Sequence, residues 1–225
     1  MLIGDGPTRF IGDFVARFSL ERVKPLKKIG DDVQLANSQE VFPTRALSSF
    51  LAPLRDREAP VIVDLGSAIG ANVTFFGTEL GCKLFMDNLL SDCEELFIKE
   101  DKEANEPAFK MLHGDASVDG VLCWDVMECL LPTAAKLVAD EIARILRPNG
   151  VVFLCFGSAN TPKKLQTTYE IVNEEKIRYR DNCAVEIKRR VLHSREMIQL
   201  FGSLRMVESV FLANQMREMI FRKDI

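Results

Sequence analysis

Val63-Asp64-Leu65-Gly66-Ser67-Ala68-Ile69-Gly70-Ala71-Asn72 is the stretch on which the reading of this chain turns. A short apolar run, Val61 to Leu65, stops at a glycine-bearing turn. The turn opens onto a helical stretch, Ala71 to Leu80, which Gly81 ends. Glycine lets a backbone approach a ligand closely, and a helix N-terminus offers N–H groups that no helical carbonyl takes. The same physics serves nucleotides, dinucleotides and phosphates, so the turn alone does not choose among them. Written as the dinucleotide fingerprint it becomes Gly66-x-Ala68-x-x-Ala71, which lacks the second glycine.

Outward from this stretch, strand and helix signals alternate. Cys82 to Met86 reads as a second strand, and Ser91-Asp92-Cys93-Glu94 is a capping-box pattern opening a helix. Phe109 to Leu112 is a weak third strand and Gly120 to Trp124 a fourth. Thr133 to Leu146 is a helix with Val138, Ile142 and Ile145 on one face. Arg147-Pro148-Asn149-Gly150 is a turn before a fifth strand, Val151 to Phe156. Such alternation predicts an α/β fold, a doubly wound and mostly parallel sheet with helices on both faces. Ser194 caps a short helix that Gly202 ends; Met206 to Leu212 and Met216 to Arg222 then follow with only Ala213-Asn214-Gln215 between them. So short a link joins antiparallel strands, so the sheet, with seven strands in all, is expected to finish in an antiparallel hairpin.

Two regions lie outside this scaffold. Residues 1–59 read as an N-terminal helical extension or cap preceding a domain over 60–225. Its Phe10, Phe14 and Phe18 form one stripe, facing the core or, alternatively, a ligand or a second copy in a homodimer. Residues 157–193 interrupt the sheet and hold both tyrosines, Tyr169 and Tyr179; Lys176 to Arg180 and Val185 to Val191 alternate around Asp181-Asn182 like a hairpin.

Composition narrows the function classes. The 225 residues carry 29 Lys and Arg against 33 Asp and Glu, a net charge of −4, which argues against a nucleic-acid partner. At 47% hydrophobic residues the chain is no disordered polymer. Cysteines at 82, 93, 123, 129, 155 and 183 show no CxxC spacing, and His113 and His193 are far from any such pair, so no metal site is expected. The longest apolar run, Val151 to Phe156, is too short for a bilayer, and Met1 to Pro7 lacks a secretory signal pattern. A cytoplasmic protein with no membrane partner is the expectation.

The acid before the glycine sharpens the reading. A carboxylate at the end of an apolar strand needs hydrogen-bond donors or a cation; a sulfonium ligand with an amino group supplies one, whereas a pyrophosphate would be repelled. From about Pro60 to its C-terminus the chain resembles the class I S-adenosylmethionine-dependent methyltransferases, whose motif is an acid followed by Gly-x-Gly-x-Gly. Asp64, Gly66 and Gly70 match, Ser67 lies in the same turn, and Ala68 replaces a glycine. The resemblance implies S-adenosylmethionine as cofactor. It also implies that Asp87, 17 residues after Gly70, takes the ribose hydroxyls and that Asn88 lines the adenine. His113-Gly114-Asp115-Ala116 resembles the family's Gly-Asp-Ala segment, whose acid receives the adenine amino group. Asp119 to Glu128 resembles the fourth strand and its loop, with Trp124 at the ligand end, and Arg147-Pro148-Asn149-Gly150 resembles the turn before the fifth strand.

The chain departs from the family in two further places. Three residues separate Asp115 from Asp119 where the family has a longer loop, and Cys129 stands where part of the family has His. The bland readings are strand-end or turn acids for Asp87 and Asp115, core for Trp124, and a packed or surface role for His113. No base is evident, so no catalytic residue is assigned. The Asn/Asp-Pro-Pro-Tyr loop of exocyclic-amine methylation is absent, since Trp124-Asp125-Val126-Met127 stands there, and so is a Pro-Cys nucleophile. The acceptor is therefore expected to be a small molecule or a protein side chain. A catalytically degenerate relative and a nicotinamide-dependent oxidoreductase are the alternatives. Thermal unfolding with added ligand separates them: S-adenosylhomocysteine at 100 times its Kd should add ~2.7 kcal/mol of stability. NAD should do so only for an oxidoreductase.

Overall fold

Val61 to Asp64 forms a strand because its neighbours on both sides complete its ladder. The computed structural model describes residues 40–67, 69–89, 109–158, 165–186 and 189–225, with the backbone alone at 165, 166 and 181–186. Among these residues the elements run β1 (Glu40–Pro43), α1 (Leu47–Arg55), β2 (Val61–Asp64), α2 (Gly70–Leu80), β3 (Lys83–Met86) and β4 (Val118–Trp124). Then come α3 (Val126–Cys129), α4 (Pro132–Ile145), β5 (Leu146–Gly157), β6 (Leu165–Asn173), β7 (Lys176–Glu186), α5 (Ser194–Leu200), β8 (Arg205–Phe211) and β9 (Met216–Arg222).

Six strands make the main sheet in the order β3-β2-β4-β5-β9-β8. The β3-β2-β4-β5 part is parallel, and β9 pairs antiparallel with both β5 and β8. The expected closing hairpin is present. The β2–β3 crossover leaves to one side and the β4–β5 crossover to the other, so they diverge between Asp64 and Trp124. That divergence opens a crevice at the carboxyl ends of the strands.

Alternation divides the core into two layers. Val63, Val121, Cys123, Val152 and Leu154 pack with the buried faces of α4 and α5, among them Val138, Ile142, Ile145 and Met197. Ile62, Leu122, Trp124, Phe153 and Cys155 pack on the opposite face with Phe50 and Leu54 of α1, Phe76 of α2, and Tyr169, Ile171 and Ile177. Gly120 makes room for α1: a Cβ there would lie 3.0 Å from Phe50 Cζ. Glu218, buried on β9, anchors the start of α1 by accepting the backbone N–H groups of Arg45 and Ala46, each at 2.9 Å. At the amino edge of the sheet the buried Asp119 accepts from Val61 N at 2.8 Å and pairs with Arg57 and Arg147.

Several expectations need correcting. Phe109–Leu112 is not a strand, so the main sheet has six strands among the described residues rather than seven. Its ladder groups are taken by side chains of α4: Met111 N donates to Glu141, and Met111 O accepts from Arg144. The insertion does form a hairpin, but the turn is at Glu174-Glu175, and Asp181-Asn182 lie inside β7. Asn173 Oδ1 closes that turn on Glu175 N at 3.0 Å. Glu40–Pro43, in a region read as helical, is a strand pairing with β7, and a second sheet results in the order β1-β7-β6. The Phe10–Phe18 stripe and the Ser91 capping box lie outside the described residues. No helix among the described residues is long and apolar enough to cross a membrane.

Phe50 is fully buried between α1 and the sheet. Phe50→Ala should destabilise the chain by ~3–5 kcal/mol, through lost burial and the cavity left behind. Urea unfolding measures it.

Candidate cofactor site

Parallel pairing puts Asp64 beside Met86, so the residue after each strand meets the other chain end: Asp87 N donates to Asp64 O at 2.8 Å. The two acids thus stand at the carboxyl ends of neighbouring strands. Asp64 is fully buried, and its Oδ1 accepts from Gly66 N at 2.9 Å and from Trp124 Nε1 at 2.7 Å. Its Oδ2 is buried with no hydrogen-bond partner among the described residues. Burial pushes the Asp64 pKa up to about 6, and the donors on Oδ1, with the Asn72 amide nearby, hold it below what burial alone would give.

Gly66 does what the sequence asks of it, but for a protein group. A Cβ at Gly66 would lie 2.5 Å from Trp124 Cδ1, so the space the glycine leaves is filled by the indole. Trp124 is buried, and its backbone is left-handed, φ 46°, a conformation that costs a side-chain-bearing residue ~1–2 kcal/mol. Its ring stacks on Tyr169 with centroids 5.1 Å apart and planes 3° from parallel, and the edge of Phe153 meets it at 5.5 Å. Ser67 is half-buried in the turn, and Gly70 begins α2 on the exposed side.

Asp87 remains open, with its side chain 35% exposed, and its Oδ2 meets His113 Nε2 at 2.9 Å. The His113 ring packs edge-on against Phe85. Asn88 follows, half-buried. Asp64, Gly66, Ser67 and Trp124 are therefore gathered at one end of the sheet, with Asp87 and Asn88 next to them. Asp115 and Ala116 are not gathered there. They sit on a turn just before β4 begins, the amino end of that strand; Ala116 N donates to Arg144 O, and the 82% exposed Asp115 pairs with Arg144 at 2.6 Å. Only Ala116 and Ser117 separate Asp115 from β4, too little chain to recross the sheet, so the adenine assignment for Asp115 and Ala116 falls.

Two groups that the sequence reading did not single out shape the site. Asn72, buried on α2, donates from Nδ2 to Tyr169 O and accepts at Oδ1 from Ile171 N, both at 2.8 Å, and so clamps β6 over the crevice. Its signal was a polar residue on the face of α2 that also carries the buried Phe76. The second is Arg189, which pairs with Asp125, while Tyr169 Oη donates to the same carboxylate. Burial pushes the Tyr169 pKa well up, so its hydroxyl keeps its proton as donor. Glu128, buried beside them, accepts Gly157 N at 3.1 Å.

The donor set fits a nucleoside cofactor at one end. Asp87, at a strand end and partly exposed, can receive a ribose diol. The orphaned Asp64 oxygen suits a cationic group, but the indole stands in the approach over Gly66.

No protein-family model matches this chain, and no curated protein sequence does. Solved structures similar to it include the Burkholderia thailandensis 1,6-didemethyltoxoflavin-N1-methyltransferase with bound 1,6-didemethyltoxoflavin and S-adenosylhomocysteine. It is 18% identical, with 80% of this chain and 77% of that one covered and a TM-score of 0.48. Human N-acetylserotonin methyltransferase in complex with SAM is 14% identical, with 80% of this chain but only 51% of that one covered and a TM-score of 0.47. The [4+2]-cyclase SpnF is 9% identical, with 80% of each covered and a TM-score of 0.48. These ligands and activities belong to those proteins.

The raised pKa of Asp64 has a stability consequence. Its folded value lies above its unfolded one, so the folded state holds the proton more tightly; the stability this gives is full below pH ~4 and lost as pH rises through about 6. Measured by urea unfolding, the stability of Asp64→Asn relative to the native chain should therefore grow by about 2 kcal/mol between pH 4 and pH 7. A difference independent of pH would mean that Asp64 is not held in this way.

Proposed function

We propose that this chain is a class I S-adenosylmethionine-dependent methyltransferase acting on a small molecule or a protein side chain. The observation that carries the reading is the pair Asp64 and Asp87, on adjacent strand ends at the point where crossovers diverge, followed after β2 by Gly66 and the uncapped N-terminus of α2. Open α/β sheets bind ligands at that point. A bound S-adenosylmethionine would supply a methyl group already activated on a sulfonium. Asp87 would hold the ribose hydroxyls, Asn88 would line the base, and Asp64 would offer its unpartnered oxygen to the positive end of the ligand. The β6–β7 hairpin, through Tyr169, would cover the site and exclude water, which strengthens every polar contact inside it. A cytoplasmic location agrees with this reading.

One observation favours a second reading. The indole of Trp124 stands over Gly66 and takes Asp64 Oδ1. That supports a methyltransferase-like protein that binds a nucleoside or a partner without transferring a methyl group. A nicotinamide enzyme finds less support, because an uncompensated carboxylate beside Gly66 would face the pyrophosphate.

S-adenosylhomocysteine should raise the melting temperature, and Asp87→Ala should abolish the rise. Incorporation of label from S-adenosylmethionine carrying a tritiated methyl group into small-molecule and protein acceptor mixtures then separates an active enzyme from a degenerate one. A rise with NAD and none with S-adenosylhomocysteine would overturn both readings.

A further inference from the structure

We infer that Trp124 divides the site, filling the half that the amino-acid tail of an S-adenosyl ligand needs and leaving the ribose half at Asp87 open. In this conformation the chain therefore selects nucleosides without a bulky 5′ substituent. The inference rests on the cofactor reading above and names the ligand class that this form of the site takes.

Three observations carry it. First, the indole has the place of a ligand. It lies so close over Gly66 that a methyl group there would collide at 2.5 Å, and it is held by aromatic partners, stacked parallel on Tyr169 and edge-on to Phe153. Second, its N–H satisfies Asp64 Oδ1, so half of the carboxylate meant for a cationic tail is already engaged, while Oδ2 stays buried with no partner among the described residues. Third, Asp87 stays open to solvent. It is 35% exposed, and His113 on its Oδ2 orients it, so a vicinal diol still has a carboxylate to meet.

The arrangement is held by specific contacts against a local cost. Trp124 adopts a left-handed backbone that a bulky residue avoids, and an observed outlier of this kind points to a functional constraint. The stack persists because Tyr169 is fixed from two sides: its carbonyl by the Asn72 amide and its hydroxyl by Asp125. For the tail of an S-adenosyl ligand to enter, the indole must leave Asp64 and Tyr169. Trp124→Gly removes the ring and suits the left-handed backbone at once.

The chain holds one tryptophan, so its emission reports this ring alone. The experiment measures adenosine and S-adenosylhomocysteine binding calorimetrically to the full chain and to Trp124→Gly, with tryptophan emission followed in the native chain. The expected result is that the native chain binds adenosine at least as tightly as S-adenosylhomocysteine. Trp124→Gly should tighten S-adenosylhomocysteine at least tenfold and leave adenosine unchanged. Emission should stay put with adenosine and move to longer wavelength with saturating S-adenosylhomocysteine. Should Trp124→Gly fail to fold, the native emission and the native affinity ratio still decide.

Native binding of S-adenosylhomocysteine a hundredfold tighter than adenosine, with emission unmoved, would overturn the inference and leave the cofactor reading standing. Trp124 would then be a wall of the tail site. Weaker S-adenosylhomocysteine binding by Trp124→Gly would overturn it in the same way. Binding of neither ligand to either protein would remove the cofactor reading itself, and the inference with it.

Discussion

A buried carboxylate with one satisfied oxygen and one orphaned oxygen governs the carboxyl edge of this sheet. Asp64 keeps Oδ1 by drawing in the Trp124 indole and the Gly66 amide, while Oδ2 has no hydrogen-bond partner among the described residues. The contrast with Asp119 is instructive. That acid is equally buried at the opposite edge, yet it has a backbone donor and two guanidinium groups, Arg57 and Arg147. Asp119 braces the start of β4 against β2. Asp64 has no such compensation, and a fold gains nothing in stability from a carboxylate left in that state. Its presence at the crossover is the strongest local argument for a ligand.

The main sheet is largely legible in the sequence, and the reason is that its signals are local. The strand-turn-helix at 61–80 and the β8–β9 hairpin are announced by apolar runs and by glycine or short polar links, and each forms within a residue or two of its expected bounds. The small sheet is not legible. The Glu174-Glu175 turn has neither glycine nor Asn-Gly, and β1 finds β7 across more than a hundred residues, a pairing that periodicity cannot report. Phe109–Leu112 looks like a strand by composition, but Glu141 and Arg144 outbid a strand neighbour for its backbone. That Asp64 and Asp87 end neighbouring strands is visible in sequence, because each acid closes an apolar run. Asp115 misleads because a family-like tripeptide hides the shortness of the link that follows it. The contact of Trp124 with Gly66 depends on a left-handed φ, which no pattern of residue types encodes.

The cover over the crevice is attached by directional bonds as much as by apolar packing. Tyr169 meets an aromatic stack with its face and a carboxylate with its hydroxyl, and Arg189 shares that carboxylate. A purely greasy contact would tolerate sliding. Hydrogen bonds to buried charges do not, because each lost partner leaves a desolvated group behind. Positions 124, 125 and 169 are therefore tied by direct contacts, which link the crevice to the hairpin.

The amide of Asn72 has one more consequence. By presenting a donor and an acceptor to alternate peptide groups of β6, it imitates a single rung of a missing strand on the outer margin of the three-stranded sheet. Peptide groups left bare on such a margin recruit foreign chains and seed aggregation. A side chain from a helix thus serves as a terminator of sheet growth, protecting the solubility of the chain at the same place where it holds the cover down.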